Sequence, residues 1–130
     1  MPQFRYVPPI DKLGVIGSQT VELGDRRDAI ARCTWQPIPS VPGAYQLLWA
    51  EVAEPHRRRG NGSLVISEAV RQAQLHAGAH RVPLRRMMLL IPQQNVIARA
   101  WLARNGFLHV NTLKDVGAEG EVLVMIRTFS

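Results

Sequence analysis

Val52-Ala53-Glu54-Pro55-His56-Arg57-Arg58-Arg59-Gly60-Asn61-Gly62-Ser63 decides the fold, because the hydrophobic period changes across it. Before it, Ala44 to Val52 reads as a strand, and it follows two others at Thr20 to Leu23 and Asp28 to Gln36. The breaks between them, Gly24-Asp25 and the proline-rich link Pro37 to Pro42, are short enough to favour an antiparallel meander. After Gly62, the residues Ile66, Ala69, Val70, Ala73 and Ala77 recur at helical spacing, with Glu68, Arg71, Gln72 and Gln74 elsewhere on the wheel. The spacing predicts an amphipathic helix closed by Gly78.

Further on, a looser stretch with Pro83 leads to Met87 to Ile91, an apolar run that suits a strand covered on both faces. Asn95 is placed to cap a second helix that runs to Arg104, with Gly106 just beyond its end. Phe107 to Leu113 and Glu121 to Phe129 read as two closing strands. The first eighteen residues, with Pro8, Pro9, Gly14 and Gly17, read as an irregular arm or one helical turn. The order strands, helix, strand, helix, strands predicts an α/β domain with a mixed sheet.

Composition sets the bounds. With 130 residues, 46% of them apolar, the chain suits one domain spanning residues 1–130. Its longest apolar runs fall far short of the roughly 20 residues that a membrane-spanning helix needs. The opening MPQFRYVPP lacks a secretory layout, so a cytoplasmic location without membrane partners is expected. Cys33 is the only cysteine and sits in an apolar stretch, which reads as core and excludes a disulfide or a cysteine zinc site; no metal is expected. A net charge of +6 and a pI near 10.7 point to anionic partners. Nucleic acid is the weaker candidate, since the arginines show little aromatic interleaving and no zinc-finger, RNP or helix-turn-helix pattern.

The turn itself carries the chemistry. The first turn of a helix has backbone N–H groups without internal partners, and the helix dipole adds about half a positive charge there. A pyrophosphate can satisfy both. Gly60 and Gly62 let the backbone approach the phosphates, while Arg57, Arg58 and Arg59 add attraction and direct contacts.

Arg57-x-x-Gly60-x-Gly62 resembles the Arg/Gln-x-x-Gly-x-Gly/Ala signature of the GNAT family of N-acetyltransferases. A second segment, Asn95-Val96-Ile97-Ala98 through Gly106-Phe107, is similar to that family's later motif, in which an Asn opens a helix and Gly-Phe closes it. The two segments lie in the family's order and together span roughly residues 44 to 110. The resemblance implies a GNAT-like mixed, mostly antiparallel sheet with two main helices, a splayed central parallel strand pair and reduced N-terminal helices. It implies acetyl-CoA (coenzyme A) as cofactor, with backbone groups near Val52 pairing with the pantetheine arm, Arg57 to Ser63, including Asn61, around the pyrophosphate, and Asn95 on the arm.

The activity so implied is direct transfer of an acetyl group to a primary amine of a small molecule or protein, without a covalent enzyme intermediate. The Val52 backbone N–H is the oxyanion donor in that scheme, and Glu51 and Glu54 are the base candidates. His56, beside three arginines, is a phosphate contact or simply exposed. Many family members place a Tyr acid seven residues after the Asn, and here that position is Leu102, which donates no proton. Trp101 reads as core, so either the thiolate leaves unassisted or another group such as Tyr45 reaches it. A catalytically silent acyl-CoA-binding module and a small nucleic-acid-binding protein are the alternatives. The short arm before Gln19 implies an open acceptor site or a wall from a second subunit, with strand Glu121 to Phe129 as the edge of a homodimer.

Overall fold

The computed structural model of the chain describes residues 3–7, 18–25, 28–57, 59–117 and 120–129. Among them are seven strands and two α-helices, an α/β composition. They divide between two compact units, Met1–Leu84 and Arg85–Ser130.

The first unit holds β1 (Gln3–Val7), β2 (Gln19–Asp25), β3 (Asp28–Pro37), β4 (Ala44–Val52), a single-turn 3-10 helix (Glu54–His56) and α1 (Asn61–Ala79). Its strands pair antiparallel in chain order, and the short β2–β3 and β3–β4 links favour that arrangement. The helix α1 packs on β2, β3 and β4. Residues directly opposite one another in a ladder share a face. The rows Leu23, Ala31, Val52 and Val21, Cys33, Ala50 therefore look toward α1, where Val65, Ile66, Ala69, Ala73 and Ala77 are buried against them. Each fully buried Val or Ile in this layer contributes about 1.5–3 kcal/mol. Burial also pushes the Cys33 thiol far above its ordinary range, in keeping with a core residue.

Two expectations for this unit are corrected. Gln3–Val7, read as part of an irregular arm, is a strand, paired with β2 from Gln3 opposite Gly24 to Val7 opposite Thr20. Five residues carry too weak a period to announce themselves, and their pairing partner lies beyond the local sequence. The remainder of the arm, residues 8–17, lies outside the described residues. At the other end of the unit, Gly78 does not close α1. The helix runs on to Ala79, and Arg81 takes the left-handed conformation, with φ of 62°. The N–H groups of Arg81 and Val82 donate to the carbonyls of Gly78 and Ala77, each at 3.0 Å, the pattern of a Schellman cap with arginine in the usual glycine place.

A bulge in β4 changes which side chains face the helix. Thr34 pairs with Trp49 but Trp35 pairs with Leu47, so Leu48 is an extra residue on β4. Strict alternation would put Tyr45 and Leu47 on the same side as Trp49 and Glu51. Instead the phase shifts at Leu48, and Tyr45 and Leu47 are buried with Trp35 beneath α1.

The second unit holds β5 (Arg86–Pro92), α2 (Val96–Arg104), β6 (Leu108–Gly117) and β7 (Gly120–Thr128), with β7 antiparallel to both β5 and β6. Here too, two expectations change. Met87 to Ile91 is not covered on both faces: Met87, Leu89 and Ile91 are buried, whereas Leu90 is 40% exposed. The strand expected as a dimer edge, β7, lies between β5 and β6 and uses its hydrogen bonds on both sides, so it offers no edge. Gly106 closes α2 as expected, with φ of 87° and the Phe107 N–H donating to the Leu102 carbonyl at 3.0 Å. No helix among the described residues is long and apolar enough to cross a membrane.

Candidate functional site: the strand–turn–helix at Val52 to Ser63

The end of β4 is built so that its last residue turns its polar backbone atoms away from β3. The Ala53 N–H donates to the Ile30 carbonyl at 2.8 Å, which makes Ala53 and Ile30 a hydrogen-bonded pair. Their neighbours Val52 and Ala31 are then a non-hydrogen-bonded pair, and the Val52 N–H and C=O both point to the side that β3 does not occupy. Arg57 reaches back to that carbonyl, its Nε donating at 3.0 Å.

Pro55 sits in the first turn of the 3-10 helix, where its fixed φ favours the tight fold. The chain then enters α1 through Gly60, the N-cap residue, with φ of 78°. A Cβ placed on Gly60 would meet nothing within 4 Å. Glycine is therefore required here for its left-handed backbone rather than for space. Asn61 stabilises the turn, its Nδ2 donating to the His56 carbonyl at 3.0 Å. No side chain caps α1, and among the described residues no protein group accepts from the N–H of Asn61 or Gly62. Arg57 and Arg59 are exposed beside these amides, and Arg58 lies outside the described residues. The turn thus combines undirected positive charge with directed N–H donors, the donor set that a pyrophosphate needs.

A depression of about 280 Å³ adjoins the turn, lined by Ala29, Ile30, Arg32, Glu51, Val52 and Arg57 among others. Glu51 lies opposite Arg32, on the face away from α1. That face carries a cross-strand row of alternating charge, in which the Glu22 carboxylate accepts from Arg5 at 2.6 Å and from Arg32 at 2.7 Å. Glu51 ends the row and borders the depression. Glu54 is exposed in the 3-10 turn and is not among the lining residues. His56 is half-buried, and its carbonyl is held by Asn61.

The remaining candidates are in other places. Asn95 is the N-cap of α2, its side-chain oxygen accepting from the Ala98 N–H at 3.2 Å. Leu102 is completely buried in the second unit, and Trp101 beside it is half-buried. Tyr45 is not a substitute acid near the turn. Its hydroxyl is 2.7 Å from His76 Nδ1 in the last turn of α1, about 22 Å along the helix from Asn61 at 1.5 Å per residue. Burial raises the Tyr45 pKa further. His76 is pushed the other way, below its ordinary value, by burial and then by the neighbouring His80.

A side-chain network that the helical wheel did not reveal lies farther along α1. Glu68 sits on the polar side of the wheel, yet it is buried, gripped by Arg71 and Gln72 and by the Tyr6 hydroxyl of β1 at 2.7 Å. The Arg71 guanidinium, together with the hydrogen bonds from Tyr6 and Gln72, brings the Glu68 carboxyl down to about 2. The hydrogen bond to Glu68 in turn raises the Tyr6 hydroxyl.

No protein-family model matches the sequence, and neither does any curated protein. Solved structures do match. An IAA acetyltransferase from Bacillus cereus superposes with a TM-score of 0.80 over 99% of this chain and 100% of its own, at 12% identity. A Bacillus subtilis acetyltransferase in complex with CoA superposes with a TM-score of 0.79 over 100% of both chains, at 8% identity. A GNAT-family acetyltransferase from Streptococcus pneumoniae gives 0.72 over 88% of this chain and 68% of its own, at 18% identity. The fold is therefore that of the GNAT acetyltransferases, with its mixed, mostly antiparallel sheet and two main helices.

Proposed function

We propose that residues 1–130 act as one acetyl-CoA-dependent N-acetyltransferase domain, transferring acetyl to a primary amine. The observation that carries this reading is the start of α1: the Asn61 and Gly62 N–H groups, which have no protein acceptor among the described residues, preceded by a left-handed Gly60 and flanked by Arg57 and Arg59, in a chain with the GNAT fold. Similar structures support the cofactor, since the B. subtilis acetyltransferase is in complex with CoA.

In this reading, the amides of α1 and the arginines hold the pyrophosphate. Bound acetyl-CoA supplies a thioester-activated acetyl group. The Val52 N–H, directed away from β3, donates to the thioester carbonyl oxygen as negative charge develops on it. Glu51, on the rim of the depression, takes a proton through water from the acceptor's ammonium, and the neutral amine so formed attacks the thioester carbonyl. With Leu102 buried and apolar and Tyr45 bound to His76, no tyrosine acid serves the departing thiolate, which leaves as the anion.

Titration calorimetry with acetyl-CoA, followed by thiol release across a panel of primary amines, tests the proposal. Saturable binding with amine-dependent thiol release is the expected result. Binding without release from any amine would make the chain a cofactor-binding module, and absence of binding at millimolar acetyl-CoA would remove the reading altogether.

A further inference from the structure

The face of the first unit that looks away from α1 carries more polar chemistry than the transfer step uses. Arg32 and Glu51 lie directly opposite each other on β3 and β4, and both are exposed. Residues so paired hold their Cβ atoms about 4.5–5.5 Å apart, which puts a guanidinium and a carboxylate within reach of one small ligand. They do not neutralise each other. Arg32 gives its Nε to Glu22 at 2.7 Å, and among the described residues Glu51 has no hydrogen bond or ion pair.

The positive charge of this face is only partly matched. Glu22 accepts from Arg5 at 2.6 Å as well as from Arg32, so one carboxylate is divided between two guanidinium groups. Arg57 gives its Nε to the Val52 carbonyl, an uncharged partner. Among the described residues the terminal nitrogens of Arg32 and Arg57 have no acceptor. Arg32, Glu51 and Arg57 all line the depression of about 280 Å³, whose other lining residues, Ala29, Ile30 and Ala53 among them, are apolar. Its volume is at the lower end of those that hold small ligands.

We propose that this depression is the acceptor subsite and that it takes a free α-amino acid, an inference that rests on the transfer reading above. The ammonium faces Glu51 across the water that relays its proton. The α-carboxylate accepts from the terminal nitrogens of Arg32, which present two parallel N–H groups to a planar anion. The peptide that joins Glu51 to Val52 carries the N–H assigned to the thioester oxygen, so an amine held at Glu51 lies next to that amide. Acetylation forms the amide N–C bond and breaks the thioester C–S bond; the sulfur leaves as thiolate, and the two protons lost by the ammonium pass to solvent, the first by way of Glu51. Other amines match the subsite less well. A peptide N-terminus has no carboxylate beside its amine and leaves Arg32 without an anion, whereas a polyamine sets further cations against Arg32 and Arg57.

The test measures thiol release from acetyl-CoA with matched acceptors at one pH, alanine against alaninamide and phenylalanine against phenylalaninamide. The free acids should give a kcat/KM about tenfold higher than their amides, although the amides hold more of their amine in the neutral form. Arg32→Gln should bring this ratio close to one, mainly by raising KM for the acid. Arg104→Gln, the same change of charge on the exposed end of α2, should keep the parent ratio. Equal rates for acids and amides in the parent, or an undiminished preference in Arg32→Gln, overturns the assignment and leaves the transfer reading standing. Thiol release from no amine of either kind would instead remove the transfer reading, and the assignment with it.

Discussion

Arg57 Nε donates to the Val52 carbonyl oxygen at 3.0 Å, so the first residue of the basic signature is bound to the last residue of β4. The bond closes a loop of only a few residues, and it ties the strand end that presents the Val52 N–H to the turn that presents the α1 amides. Arg57 is in this respect unlike Arg59, which is exposed and extends from the bend just before Gly60.

That difference predicts unequal roles for the two arginines. Arg57→Ala should raise the KM for acetyl-CoA about three- to tenfold, because it removes a positioning bond as well as a charge. Arg59→Ala should change it less than about threefold, as expected of a single exposed charge. Steady-state kinetics on the two variants checks this, and equal effects would sink the distinction.

Gly60 should be more sensitive than either arginine. Its φ of 78° lies where a side chain costs about 1–2 kcal/mol, and a β-branched one more. Gly60→Val should rotate the first turn of α1 and weaken acetyl-CoA binding by about tenfold or more (~1.4 kcal/mol). Calorimetry would show it; an affinity equal to that of the parent would contradict the geometry argued for the turn.

Glu68 links folding stability to acid. Its folded pKa of about 2 lies below the ordinary 4.5, so it contributes stability that is present above pH about 4.5 and lost as pH falls toward 2. Glu68→Gln should cost about 1–3 kcal/mol at pH 7, with the gap from the parent closing as the pH drops through that window. Denaturant unfolding at pH 7 and at pH 3 measures it.

Arg81 holds a glycine position with an arginine. Its φ of 62° carries a steric penalty that glycine avoids, offset in part by the entropy glycine adds to the unfolded chain. Arg81→Gly should therefore raise stability by about 0.5–1 kcal/mol, read as an increase in Tm with unchanged acetyl-CoA affinity.

Leu102 stands where many GNAT sequences carry a tyrosine acid, and restoring the tyrosine should not help. The side chain is completely buried, and the added ring and hydroxyl would overpack the second unit. Leu102→Tyr should destabilise by about 1–3 kcal/mol and leave kcat no higher than in the parent.

Local sequence sufficed wherever the signal was short-range. The change of period at Gly62, the Asn95 cap with its bond to Ala98, and the glycine at position 106 each act within a few residues, and each stands where it was expected. The left-handed Gly60 and the amides after it are also consequences of a strand running directly into a helix through a tight turn. The basic turn and the helix amides that follow it could therefore be read from residues 52 to 63 alone.

What the tertiary structure alone decided depends on register. A single extra residue at Leu48 moves Tyr45 and Leu47 to the side of α1 while Trp49 and Glu51 stay on the other, and this one shift gives Tyr45 to His76 instead of to the turn. The pairing of Gln3–Val7 with β2, the burial of Glu68 under Tyr6, and the row Arg5, Glu22, Arg32, Glu51 follow from the same cause. Side-chain period along a chain says which residues share a face, but only the pairing of strands distant in sequence says what that face meets.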